Sequence, residues 1–124
     1  MVDDEAVVLG LCQNILAKLG GYHVVVMTSA QEAAGFCENH SSPTIDLALV
    51  DVMMPGMNGV ELANRIRNDS PATKIVLMSG FGPRDIARVT GGNNPYRIIW
   101  KPFKAESLLR MVENALGGSA AAGT

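Results

Sequence analysis

The chain has 124 residues, 48% of them hydrophobic and 18% charged, with a formal net charge of −2. Such a chain is expected to form one globular domain, since it is short for two and too apolar for disorder. The missing basic excess argues against nucleic acid or an anionic membrane as partner, and no apolar run reaches the ~18–20 residues of a membrane span.

Hydrophobic periodicity predicts alternating helices and short apolar strands. Residues 5–19 read as a helix with Leu11, Ile15, Leu16 and Leu19 on one inward stripe, stopped by Gly20-Gly21. Residues 22–27 (YHVVVM) are continuous and β-branched, the pattern of a strand covered on both faces. Ser29 with Glu32 is a capping-box pair for a helix over 30–39, and 41–44 (SSPT) is a loop. Residues 47–52 (LALVDV) form a buried strand that ends at an acid. After the turn at 53–58 (MMPGMN), Asn58 and Glu61 repeat the capping pair and open a helix over 59–68 with Leu62, Ala63 and Ile66 inward.

The next strand is 74–78 (KIVLM), and Pro83 suits the first turn of a short helix to 89. A loop at 91–95 leads to a strand at 97–100 (RIIW). The last helix, 105–116, turns Leu108, Leu109, Val112 and Leu116 to one face. The domain therefore spans 1–116, and 117–124 (GGSAAAGT) reads as a flexible tail or linker stub.

This alternation implies an α/β fold, a doubly wound parallel sheet with helices on both faces. Ligands of such sheets bind beyond the carboxyl ends of the strands. Asp51, Ser79 and Lys101 follow three successive strands, and Asp3-Asp4 stand just before the first helix. If those edges converge, the site holds three carboxylates, a hydroxyl and an ammonium. Crowded carboxylates raise one another's pKa and favour a divalent cation, and oxygen-only donors favour Mg²⁺. The ammonium and hydroxyl suit phosphoryl oxygens, and a central Asp can act as nucleophile to give an aspartyl phosphate.

Four motifs, in order, carry a family likeness: Val2-Asp3-Asp4-Glu5; Leu49-Val50-Asp51-Val52-Met53-Met54-Pro55-Gly56-Met57-Asn58-Gly59; Met78-Ser79-Gly80; and Lys101-Pro102-Phe103. Over about residues 2–116 the chain resembles the response-regulator receiver domain of two-component signalling, a flavodoxin-like α/β fold with sheet order 2-1-3-4-5. The resemblance implies phosphorylation at Asp51. It implies Mg²⁺ held by Asp3, Asp4, Asp51 and the backbone carbonyl of Met53. Ser79 and Lys101 would bind the phosphoryl group, and the Lys101–Pro102 peptide would be cis. The aromatic residue that the family often carries three positions before the lysine is replaced here by Ile98.

Each residue alone has a plainer reading. Asp51 is then a solvated acid at a strand end, Asp3-Asp4 favour a helix dipole, Ser79 is a turn residue and Lys101 a surface lysine. Only their conjunction argues for chemistry. His23 and His40 read as structural or exposed, Arg84 and Arg88 as a solvated helix face, and Trp100 and the seven methionines as filler. Cys12 and Cys37 sit in no metal-ligand or CxxC spacing, and reduced thiols of this kind place the protein in the cytoplasm.

One departure from the family is large. Its acidic pair ends a buried central strand, yet only Met1 and Val2 precede the pair here. Without that strand its two neighbours would stand ~9.6 Å apart, twice the usual spacing. Unpaired inner groups at ~1–3 kcal/mol each would exhaust the stability of a monomer. Three repairs are open: direct pairing of the flanking strands, a strand from a partner chain, or an extended form of the apolar run at 6–12. Intermolecular repair, and so a homodimer, is the preferred expectation.

Two functions are compatible with this reading. The first is a phosphorelay receiver that takes a phosphoryl group from a histidine kinase or phosphotransfer protein and signals by protein contact. The second is a receiver-derived dimeric interaction protein that is not phosphorylated. An independent hydrolase is the weakest reading, because no general-base constellation accompanies the acids.

Overall fold

The structure, a computed structural model, describes residues 1–38, 44–54, 58–80, 82–92 and 95–117. The expected loops at 41–43, 55–57 and 93–94, His40 and the tail from 118 onward lie outside the described residues. The elements in chain order are α1 (Ala6–Asn14), α2 (Ala30–Glu38), β1 (Leu47–Asp51), α3 (Gly59–Asp69), β2 (Lys74–Ser79), α4 (Pro83–Thr90), β3 (Arg97–Trp100) and α5 (Ala105–Ala115). Both capping pairs form: Ser29 Oγ accepts from the Glu32 N–H at 3.1 Å, and Asn58 Oδ1 from the Glu61 N–H at 2.9 Å.

The three strands form a parallel sheet in the order β1-β2-β3, with Asp51 opposite Met78 and Ser79 opposite Trp100. Alternation along the strands divides the core. Ala48, Val50 and Leu77 pack with α2 and α3, whereas Leu49, Val76, Met78 and Ile99 pack with α1 and α5. Leu62, Ala63 and Ile66 of α3 are buried as their spacing predicts.

The first helix departs from expectation. Its α-helical part ends at Asn14 and continues as a π-helical turn, Ile15–Leu19. Leu9, Cys12 and Leu16 face inward, while Leu11 is 61% and Leu19 69% exposed. Both buried spacings, three and four residues, belong to one helical face, and the wider π turn carries Leu19 away from it.

The central position of the sheet is not empty. Val2 bridges in parallel to Met27 on one side and Val50 on the other, which gives the expected 2-1-3-4-5 order at that level. The Val2 N–H donates to the Leu49 carbonyl at 2.8 Å, and its own carbonyl accepts from the Asp51 N–H at 2.9 Å. On the other side the Met1 carbonyl accepts from the Met27 N–H at 2.9 Å, and the Asp3 N–H donates to the Met27 carbonyl at 3.2 Å. Residues 1–3 are thus a short stub of the central strand. The flanking segments do not pair directly, and the run at 6–12 is helical, so two of the three expected repairs are not used. At the carboxyl end the gap is closed within one chain.

The stub corrects a second expectation. Residues 22–27 do not form a strand; only Met27 makes a bridge. A ladder needs a partner at every second residue, and the stub is too short to offer one beyond its own start.

Candidate functional site

The stub matters because Asp3 is its last residue. Asp3 is fully buried at the carboxyl edge of the sheet, and its Oδ1 accepts from the Glu5 N–H at 2.9 Å, which turns the chain into α1. Asp4, next to it, is exposed. Asp51 ends β1 and is 6% exposed; its Oδ1 accepts from the Met53 N–H at 3.3 Å. That bond holds the Met53 backbone beside the Asp51 carboxylate. Ser79 ends β2 and is buried.

Lys101 directly follows β3, and its N–H donates to the Ser79 carbonyl at 2.6 Å. The Lys101–Pro102 peptide is cis. The ammonium gathers the acids: Nζ lies 2.7 Å from Asp3 Oδ2, 3.5 Å from Asp51 Oδ2 and 3.6 Å from Glu5 Oε1. Residues 98 positions apart in sequence thereby share one charge-assisted bond.

Burial and the Asp3 charge push the Asp51 carboxyl up to about 6, and Lys101 only partly opposes them. Burial alone would lower the Lys101 ammonium, but the bond to Asp3 and the charges of Asp51, Asp3 and Glu5 outweigh it and raise the group. The nearby Cys12 thiol is also raised, first by burial and then by Asp3.

Carboxylate oxygens of Asp3, Asp4 and Glu5 all lie within 4.8 Å of one another. An all-oxygen, anionic set of this kind suits a hard divalent ion such as Mg²⁺. Asp51, buried beside Asp3, adds a further carboxylate to the same edge, and the Met53 backbone lies next to it. The residues present therefore fit a metal.

Two contributors escaped the sequence reading. Glu5 belongs to the acid cluster and reaches Lys101; the run of three acids, Asp3-Asp4-Glu5, was the available signal. Gly59 packs against Asp51, where a β-carbon would collide with the Asp51 carbonyl. The turn motif signalled a glycine there, but only the packing shows the close approach. Ile98, at the position of the family's common aromatic, is half-buried against the α2/α3 side of the core.

The chain matches the response regulator receiver domain over residues 1–113. It belongs to that family. The receiver is 34% identical over 116 residues to the response regulator protein FleR of Pseudomonas aeruginosa, which covers 93% of this chain and 24% of FleR. It is 32% identical over 101 residues to a cyclic di-GMP phosphodiesterase of Thermotoga maritima, covering 80% of this chain and 26% of that protein. The receiver thus spans about a quarter of the length of these two relatives. With the response regulator receiver protein CpdR of Brucella abortus it shares 30% identity over 96 residues, covering 77% of this chain and 78% of CpdR.

Among solved structures, a CheY-like receiver domain protein from Methanospirillum hungatei superposes with a TM-score of 0.82 at 26% identity, covering 97% of this chain and 93% of that one. The receiver domain of NtrX from Brucella abortus gives 0.76 at 28% identity, covering 93% and 94%. The receiver fold is shared along nearly the whole chain, and among the described residues no helix is long and apolar enough to cross a membrane.

Proposed function

We propose that this receiver accepts a phosphoryl group on Asp51 from the phosphohistidine of a histidine kinase or phosphotransfer protein, with Mg²⁺ as cofactor. The observation that carries the reading is Lys101 Nζ placed between Asp3 and Asp51 at 2.7 and 3.5 Å. That ammonium stands where charge gathers when Asp51 is phosphorylated.

In the transfer, an Asp51 carboxylate oxygen attacks phosphorus and forms the new P–O bond. The P–N bond breaks and its electron pair returns to the imidazole of the donor. The product is a mixed anhydride on Asp51. Lys101 then exchanges its Asp51 contact for a phosphoryl oxygen while Asp3 keeps it oriented, and the Ser79 hydroxyl donates to a second oxygen. Asp3, Asp4 and Asp51, with the Met53 carbonyl, would hold the metal, and Glu5 supports the same charge balance. Bound there, the ion offsets the negative charge brought together by carboxylate and phosphoryl group. The added charge at the end of β1 is the signal, read by a protein partner at the surface.

Incubation with Mg²⁺ and a small phosphodonor such as acetyl phosphate tests the reading by intact-protein mass spectrometry. One added phosphoryl group, lost in Asp51→Asn and with a chelator, is the expected result. No labelling of the folded protein under conditions that label an ordinary receiver would leave the unphosphorylated interaction protein as its function.

A further inference from the structure

The helices α1 and α3 differ in what they show to solvent. On α3 the exposed residues are Glu61, Asn64, Arg65, Arg67, Asn68 and Asp69, all of them polar. On α1 no charged residue occurs from 6 to 17, and of the exposed positions in that stretch only Asn14 is polar. Val7 is 85% exposed and Leu11 61%. A helix that is apolar all round is normally covered all round. Among the described residues, nothing covers the outer side of α1.

That outer side is shaped as well as apolar. Val7, Leu11, Ile15 and Leu19 recur at a spacing of four. Four residues overshoot an α-helical turn but fall short of a π-helical one, so the π turn at Ile15–Leu19 brings the stripe back where it would otherwise wind away. Beside Leu11, in the middle of the helix, stands Gly10, where a β-carbon would meet nothing within 4 Å. Glycine inside a helix weakens it relative to alanine, and the described residues give no reason for one here. A missing side chain does let a second backbone come close. Ala6 and Ala17, both exposed, keep the same flank low.

The ends of the helix determine what kind of partner fits. Asp4 and Glu5, both exposed, stand before the first turn, and exposed Lys18 lies in the last. A helix of the same sequence laid antiparallel sets cation against acid at both ends, whereas a parallel one sets acid against acid. The face is complementary to itself about a two-fold axis.

We propose that α1 is a self-association surface that takes a second copy of this chain, helix antiparallel to helix. With the axis passing between residues 11 and 12, Lys18 of each copy is level with Glu5 of the other. Gly10 and Leu11 then stand beside the axis, where the helices cross most closely, and Val7 of one copy meets Ala17 of the other. The second copy thereby brings a cation to Glu5, the acid that reaches Lys101. One helix face per copy falls below the ~1,200–2,000 Å² of a standard interface, so the dimer is a reversible one.

Sedimentation of the full chain over about 5–500 μM tests this, with an expected dimer dissociation constant on the order of 10–100 μM. Val7→Lys alters a side chain that touches little of its own domain. It should raise that constant at least ~10-fold and leave the thermal midpoint of the dilute protein unchanged. Gly10→Ala separates the helix from the interface. The dilute protein should melt about 3 °C or more higher, because the helix gains, while the dimer weakens at least ~5-fold. Lys18→Glu and Glu5→Lys should each weaken self-association, and their equimolar mixture should restore it, since each copy then meets the opposite charge. A chain that stays monomeric throughout the range leaves the face to a different occupant and overturns the proposal. So does a dimer that Val7→Lys leaves intact, or a pair of charge variants that do not recover on mixing. None of these readouts depends on phosphorylation.

Discussion

The two ends of the central strand position behave as different materials. At the carboxyl end, residues 1–3 bond to both neighbours, and Asp3, Asp51 and Lys101 close around one another. At the amino end the same two neighbours face a cavity. A three-residue stub is enough to build the polar site, because the site needs only the last residue of the strand and its immediate bonds.

The sharpest way to break the polar end is to remove its cation. Lys101→Met leaves Asp3 buried among acids without its partner, and loss of one member of a buried pair costs ~3–5 kcal/mol. A denaturant titration should show that loss, which a lysine serving only as a surface charge would not produce.

The next effect has a sign set by pH. The Asp51 carboxyl, pushed up to about 6, holds its proton in the folded state over a range where the unfolded chain has released it. In metal-free buffer, stability should therefore fall as pH rises from ~4 to ~6 and stay lowered above that, by on the order of 2 kcal/mol. Asp51→Asn should flatten this slope and be the more stable protein at pH 7. A wild-type stability that climbs through that window would contradict the crowding of Asp51 by burial and Asp3.

The smallest effect lies within one strand. The Asp51 amide donates to the Val2 carbonyl, while Leu49, two residues earlier, lines the cavity between residues 22–25 and 46–49. Leu49 should exchange at least ~10-fold faster than Asp51, though Leu49 is the more buried residue. Equal protection would mean that the two ends do not differ.

Much of the fold is legible in the sequence. The helices over α3 and α5, the three strands of the sheet and both capping pairs come from periodicity and local turn chemistry. Asp51, Ser79 and Lys101 can be found because a parallel sheet gathers the residues after its strands on one edge. Residues 22–27 mislead for a specific reason. YHVVVM has every local mark of a strand, but a strand exists only where a neighbour pairs with it, and that neighbour is three residues long. Leu19 misleads because apolar spacing cannot register a π turn, and Leu11 because the buried face of α1 is the one that carries Leu9 and Cys12.

The sequence by itself determined the chemical inventory: acids ahead of the first helix, then an acid, a hydroxyl and a lysine at successive strand ends, all in the order of a receiver. Local preference and strand alternation suffice for that, since both act between near neighbours. Only the tertiary structure decided that Asp3 rather than Asp4 is buried against Lys101, that Glu5 joins them, and that a three-residue stub closes one end of the central gap while the other stays open. Those outcomes depend on which backbone groups meet across the fold, and no short-range pattern carries that information.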